Sequence, residues 1–143
     1  MQIELVLTPL ITLFAVQSLK LATDGIKGNF SAKDFFITYG GMPSTHSAIV
    51  SSFTSIIAYK EGLFSPAFSI AMVFSLIVIV DAMSFRRHID QQGRAIKKLI
   101  GGLPQDEQKK FPYFSTRVEH TLPQVAVGIL LGFTIASIIA LIT

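Results

Sequence analysis

Residues 71–80 read AMVFSLIVIV, ten positions with no charge and a single serine. A helix on the surface of a soluble bundle keeps one polar face, whereas this run is apolar on every side. It lies inside a longer stretch, 64–83, close to the roughly 20 residues a helix needs to cross a bilayer. Three other stretches approach that length. The first is 3–22, with Pro9 near its start, where a helix tolerates proline. The second, 45–60, is shorter and rich in Ser and Thr, which suit packing against other helices better than facing lipid. The last is 121–142. Half of the 143 residues are hydrophobic and only 15% are charged, against about a quarter charged in a soluble domain. A soluble four-helix bundle is the competing reading, and residues 71–80 argue against it. The hydrophobic content excludes a disordered chain. With no Cys, a disulfide framework, a zinc-thiolate site and cysteine catalysis are excluded.

The first stretch lacks a basic leader and an A-x-A-like cleavage site, so it is read as retained. No internal repeat or low-complexity tract divides the chain, which reads as one domain, 1–143. The expected fold is all-α: an integral membrane helical bundle of about four transmembrane helices plus a basic amphipathic interfacial helix. Such a thin core leaves room for a homodimer. The amphipathic helix is expected from Ser84 to Ile100, with Phe85, Ile89, Ile96 and Leu99 on its apolar side and Arg86, Arg87, Arg94, Lys97 and Lys98 as charges. Gly101, Gly102 and Pro104 end it. Residues 103–113 read as a solvated loop.

A tight turn around Glu61, Gly62 and Leu63 joins the second and third stretches, while about 23–44 and about 84–120 are long connections. Four antiparallel spans place both long connections on one side. Eleven of the twelve Lys and Arg lie there, and only Lys60 lies at the other end. The positive-inside bias then expects an inner-membrane protein with long loops and site in the cytoplasm.

The polar chemistry gathers in three blocks. GGMPSTHS, 40–47, lies where a loop becomes the second span. Gly40 and Gly41 permit close backbone approach, and Pro43 suits a first helical turn. Ser44, Thr45 and His46 then sit at a helix N-terminus, which favours an anion. The bland reading is a capped helix start with an incidental histidine. The second block is RVEHTLPQVAVG, 117–128, in which His120 and Gln124 are four apart and can share a helical face. Two histidines opening on one side of a bundle can divide the roles of nucleophile and general acid. In the third block, DAMSFRRHIDQQG, Asp81 closes an apolar span and is a functional candidate by position. Arg86 and Arg87 offer bidentate donors for phosphate oxygens, whereas His88 reads as a surface residue. Lys20 ends the first stretch, with Lys27 seven residues on; Lys27 also reads as a plain loop charge. Phosphoryl transfer needs in-line geometry and positive charge around the oxygens. The nine Asp and Glu are scattered, so neither a metal nor another cofactor is expected.

GGMPSTHSA, DAMSFRRHIDQQGRA and EHTLPQVAVGILLG together resemble the divergent membrane branch of the type 2 phosphatidic acid phosphatase superfamily, relatives of the vanadium-dependent haloperoxidases, from Lys20 to Gly132. The resemblance implies metal-free hydrolysis through a phosphohistidine. It makes His120 the nucleophile, His46 the general acid and Gln124 the residue that orients His120. It assigns the phosphate to Lys20, Lys27, Ser44 and Thr45, with Arg86 or Arg87 in place of an arginine near His120. Gly41, Asp81, Gln92 and Glu119 take supporting positions. The chain departs from the wider pattern at several places. Thr45 replaces a glycine, Lys27-Gly28 replaces Arg-Pro, and Gln124 replaces an acid. Glu119 stands where a glycine is expected, and Leu122 separates Thr121 from Pro123.

The expected function is an integral membrane phosphatase acting on a lipid phosphomonoester or diphosphate, with the membrane lipid as partner and no nucleic acid. A cytoplasmic site favours a phosphatidylglycerol phosphate-type substrate; an outward one favours an undecaprenyl diphosphate type. The alternatives are a protein that binds a phosphorylated lipid without turnover, and a small transporter or assembly subunit with a histidine proton relay.

Overall fold

The computed structural model describes residues 3–24, 42–111 and 122–143. Its helices, in order, are α1 (Glu4–Asp24), α2 (Thr45–Glu61), α3 (Pro66–Met83), α4 (Phe85–Gly101), α5 (Gln105–Gln108) and α6 (Leu122–Ile142). There is no strand among the described residues. The protein is all-α, as its hydropathy pattern requires. Two helices, α3 and α6, are long and apolar enough to cross a membrane. The expected loop at 103–113 contains one exposed turn, α5, closed by a hydrogen bond of 2.8 Å from Gln108 Nε2 to the Leu103 carbonyl.

α2 is the central helix and packs against α1, α3 and, most extensively, α6. Hydrogen bonds fix the directions. Thr45 at the start of α2 meets Gln17 late in α1, so these two helices are antiparallel. Gly62, at φ 89°, ends α2 in a conformation that costs other residues strain. Ser65 then caps α3 by accepting from the Phe68 N–H at 3.1 Å, with Pro66 in the first turn. α3 therefore returns antiparallel to α2. Ser51 donates to the Ile129 carbonyl at 3.0 Å, and Lys60 Nζ donates to Thr143 Oγ1 at 3.0 Å, so α2 and α6 run parallel. The C-terminal ends of α1 and α3 and the first turns of α2 and α6 thus share one end of the bundle. Lys60 is at the other.

Polarity is inverted relative to a soluble protein. Among the described residues Thr8, Thr12, Gln17, Lys20, Ser44, Ser47, Ser52, Thr54 and Ser75 are buried, while the buried apolar set is Ala, Val and Ile. Leu, Ile, Val and Phe side chains cover the outside; Val6 is 63% exposed, Phe14 54% and Leu130 64%. Large contiguous apolar surface is rare on soluble monomers. In lipid it is the expected exterior, and hydroxyls turn inward to bond across helices. The Ser- and Thr-rich second stretch follows this rule. Thr54 Oγ1 and Ser75 Oγ are 2.7 Å apart, and Ser75 donates to the Val50 carbonyl at 3.2 Å.

The seam between α2 and α6 is built from small residues. Gly128, Gly132 and Ala136 on α6 are buried against the side of α2 that carries Ser44, Ala48 and Ser52. A methyl group on Gly132 would collide with the Ala48 carbonyl oxygen and lie 2.9 Å from its carbon and 3.0 Å from the Ser52 nitrogen. Removing both β-carbons lets backbones touch, the small-xxx-small solution for helices in lipid.

Pro9 lies near the start of α1, which continues through it; a membrane helix accommodates the missing bond through neighbouring groups. The expectation for Pro43 needs correction, because it is not in the first helical turn. It follows a cis Met42–Pro43 peptide and precedes Ser44, which is the N-cap of α2.

α4 starts two residues after α3 ends and, among the other helices, packs chiefly on α3. Ile89, Ile96 and Leu99 lie on one side of it and remain exposed, with Arg94, Lys97 and Lys98 on the other. This is the pattern of a helix lying in a headgroup layer.

Two outcomes follow for this architecture. Gly132→Ala will destabilise the bundle by about 1–3 kcal/mol through overpacking against backbone, read by detergent-denaturant titration. Gly101→Ala, whose added methyl group meets nothing within 4 Å, will not. Because the chain has no tryptophan, Leu99→Trp gives a single reporter on α4. Its emission will shift to the blue in vesicles containing anionic lipid relative to vesicles of neutral lipid, and 1 M salt will weaken this dependence on lipid charge.

Candidate functional site

The first turn of α2 is the structural centre of the polar end. Ser44 is fully buried, and its side chain caps the helix. Its Oγ lies 3.0 Å from Ser47 Oγ and accepts from the Ser47 N–H at 3.5 Å. Its carbonyl accepts the Ala48 N–H at 3.1 Å. The N–H groups of Thr45 and His46 have no helical carbonyl ahead of them, so the mouth of α2 carries the partial positive charge of a helix start.

Two other helices are fastened to this turn. The Ser44 N–H donates to the Gln124 carbonyl at 3.0 Å, which ties the start of α6 to the cap of α2. Thr45 Oγ1 donates to Gln17 Oε1 at 3.1 Å, which ties α1 to the same turn. Lys20 stands three residues beyond Gln17 on the same face of α1 and is only 3% exposed. A buried ammonium is costly unless polar groups or an anion compensate it. α1 therefore brings an amide and a cation to a bundle otherwise built of hydroxyls and small apolar groups.

Of the expected residues, Lys20, Ser44, Thr45, His46 and Gln124 are at one end of the bundle. Ser44 and Lys20 are buried, Thr45 and Gln124 half-buried, and His46 exposed. Asp81 is exposed in the last turn of α3 at that same end, and Gln92 is exposed on α4. His120, Lys27, Gly41 and Glu119 lie outside the described residues, as do the side chains of Arg86 and Arg87. Among the described residues no group of three His, Asp or Glu gathers as a metal site. Gln17 and Ser47 were not anticipated. A glutamine three residues before Lys20, inside an otherwise apolar run, was the available sign for the first. For the second it was Ser47 standing three after Ser44.

Residues 1–135 match the Divergent PAP2 family. The chain belongs to that family. The match covers every element of the polar end, from Lys20 through Gln124. Over 75 residues the chain is also 39% identical to the "Uncharacterized membrane protein YuiD" of Bacillus subtilis (strain 168). That segment is 51% of this chain and 48% of the relative, so the similarity spans about half the length of the curated relative. No solved structure matches. Family, relative and the apolar α3 and α6 agree on a PAP2-related membrane protein.

The link between Gln17 and Thr45 can be measured. A double-mutant cycle with Gln17→Leu and Thr45→Val will give a coupling of about 0.6 kcal/mol, the average for interhelical hydrogen bonds in a membrane bundle, read by unfolding in detergent.

Proposed function

We propose that this divergent PAP2 protein is an integral membrane phosphatase that hydrolyses a lipid phosphomonoester or diphosphate without a metal. The observation that carries this reading is the 3.0 Å hydrogen bond from the Ser44 N–H to the Gln124 carbonyl. It joins the block containing His46 to the block containing His120 and Gln124. These blocks are separated by about half of the sequence.

In the proposed cycle the His120 imidazole attacks phosphorus, and the bond from phosphorus to the lipid oxygen breaks. His46 gives its proton to that oxygen. Water then attacks the phosphohistidine, with His46 now taking the proton, and orthophosphate leaves. The N–H groups at the α2 mouth, the Ser44 hydroxyl, Lys20 and the Arg86–Arg87 pair would hold the equatorial oxygens, whose charge is what catalysis must stabilise. Gln124 would orient His120 by a neutral hydrogen bond. Four bundle helices, α1, α2, α3 and α6, would span the bilayer. The excess of Lys and Arg at the polar end supports a site on the cytoplasmic side of the inner membrane, where a phosphatidylglycerol phosphate-type lipid would be the fitting substrate.

A second reading is a protein that grips a phosphorylated lipid without turnover. Gln124 favours it, because an amide does not stabilise an imidazolium as a carboxylate does.

The deciding experiment uses purified protein in detergent with a panel of lipid phosphates. The phosphatase releases orthophosphate, is blocked by orthovanadate, and loses its activity in His120→Ala. His46→Ala will lower kcat by about 10²–10⁴-fold, the usual scale for losing a general acid. Saturable lipid binding by the unaltered protein with no phosphate released would overturn the enzyme reading in favour of the binder.

A further inference from the structure

The face of α2 that carries Ser44 and Ser47 continues into the bilayer-facing part of the bundle as Ser51, Thr54 and Ser55, each three or four residues on. α3 and α6 flank this side, packing on α2 rather than closing over it. They leave a groove of about 520 Å³, walled by Met72 and Leu76 of α3 and by Ile129 and Phe133 of α6. This is the size range of small-molecule sites. The groove begins one turn below Ser47, about 6 Å along the helix.

Its chemistry selects an occupant. The hydroxyls of Ser51, Thr54, Tyr59 and Ser75 along it are turned to partners within the protein. Ser51 donates to the Ile129 carbonyl, Thr54 is bonded to Ser75, and Tyr59 Oη is 3.0 Å from Ser137 Oγ. What remains facing the groove is mainly CH surface, which suits hydrocarbon and offers little to a sugar or a peptide backbone. Its two walls belong to the helices long and apolar enough to cross a membrane, so it opens sideways into acyl chains. From Ser51 to Tyr59 it runs about 12 Å along α2, and it continues to Leu63 and Phe68 at the end away from the mouth, so a long alkyl chain entering from the mouth would pass the middle of a hydrocarbon core about 30 Å thick.

We propose that this groove holds one alkyl chain of the same lipid whose phosphate sits at the α2 mouth. The inference rests on the phosphate reading of that mouth and extends it. Recognition requires a phosphate and a single hydrocarbon chain, and any second chain stays in the bilayer. α2 carries both contacts, the head at its first turn and the chain on the turns that follow.

The test is photolabelling of the full chain in detergent micelles. One probe is an alkyl phosphate with a diazirine at mid-chain; the other is the matching alkyl alcohol. Labelled residues are mapped by mass spectrometry. The phosphate probe is expected to label α3 and α6 at Met72, Leu76 and Phe133 in preference to the alcohol. Ser55→Trp and Met72→Trp, which fill the groove from its floor and one wall, will each cut that labelling about tenfold. Val6→Trp on the outer face of α1 will not. Labelling spread equally over the outer face of α1, or unchanged in both groove variants, overturns the proposal. So does equal labelling by the alcohol, or cross-links showing a second copy of the chain in the groove.

Orthophosphate release from a short water-soluble phosphomonoester, measured on the same variants, reports on the mouth alone. Release that persists with groove labelling unchanged by Ser55→Trp sinks the groove and spares the phosphatase. Phosphate-selective labelling lost in Ser55→Trp, with no release from any substrate, supports the groove and removes hydrolysis.

Discussion

The bundle depends on the contact of α6 with α2 through Gly128 and Gly132. In water two helices are driven together by burying apolar surface, but in lipid that drive vanishes, because acyl chains are as apolar as leucine. What remains is close packing and hydrogen bonding, both of which fall off steeply with distance. The missing β-carbons let α6 lie against the Ser44 and Ala48 backbone. At that separation the Ser44 N–H reaches the Gln124 carbonyl and Ser51 reaches the Ile129 carbonyl. A parallel pair so close also sets the relative height of the two helices. The cap of α2 and the first turn of α6 must then meet.

The inverted polarity has the same origin. A hydroxyl facing acyl chains bonds within its own helix, as Thr134 does to the Leu130 carbonyl, and the others turn toward neighbouring helices. The buried polar set runs from Thr54 and Ser75 to Ser47 and Ser44, with Gln17 and Lys20 from α1 at the end where the long connections begin. Lys20 extends this logic. It is buried one turn beyond Gln17, the residue that meets the first turn of α2. The proposed phosphate site draws on that placement, because a helix start favours an anion.

Much of the fold was legible from hydropathy. The runs at 3–22, 45–60, 64–83 and 121–142 fall within a few residues of α1, α2, α3 and α6, and the stretch from Ser84 to Ile100 is α4 displaced by one residue. The gathering of Ser44, Thr45, His46, Gln124 and Lys20 at one end followed from counting antiparallel crossings. The α2–α6 seam was not legible, for a physical reason. A helix apolar on every side, such as α6, has no stripe to reveal its rotation about its own axis. The uniformity that makes a span easy to recognise hides which face packs. The small residues at 128, 132 and 136 carried the phase, but only the partner surface of Ser44, Ala48 and Ser52 gives them meaning. Gln17 escaped for a related cause, since its role depends on the height of α1 relative to Thr45.

α2 is held differently along its length, and this bears on how a lipid would be handled. Its first half is clamped between α6 and Gln17, with the backbone of α6 in direct contact. Its second half is held to α3 through Thr54 and Ser75 and to α6 through Tyr59 and Ser137, side-chain bonds rather than backbone contact. A first turn held by backbone contact would suit the proposed phosphate site, because displacements of an ångström there cost large factors in rate. The second half, held through side chains, would suit a chain of methylenes, which needs apolar surface rather than exact placement. If binding energy from the chain is to serve chemistry at the head, both must act on one body. α2 would be that body: a single helix that carries the polar mouth at its first turn and lines the groove farther along, so that seating a chain would fix the height at which its phosphate arrives.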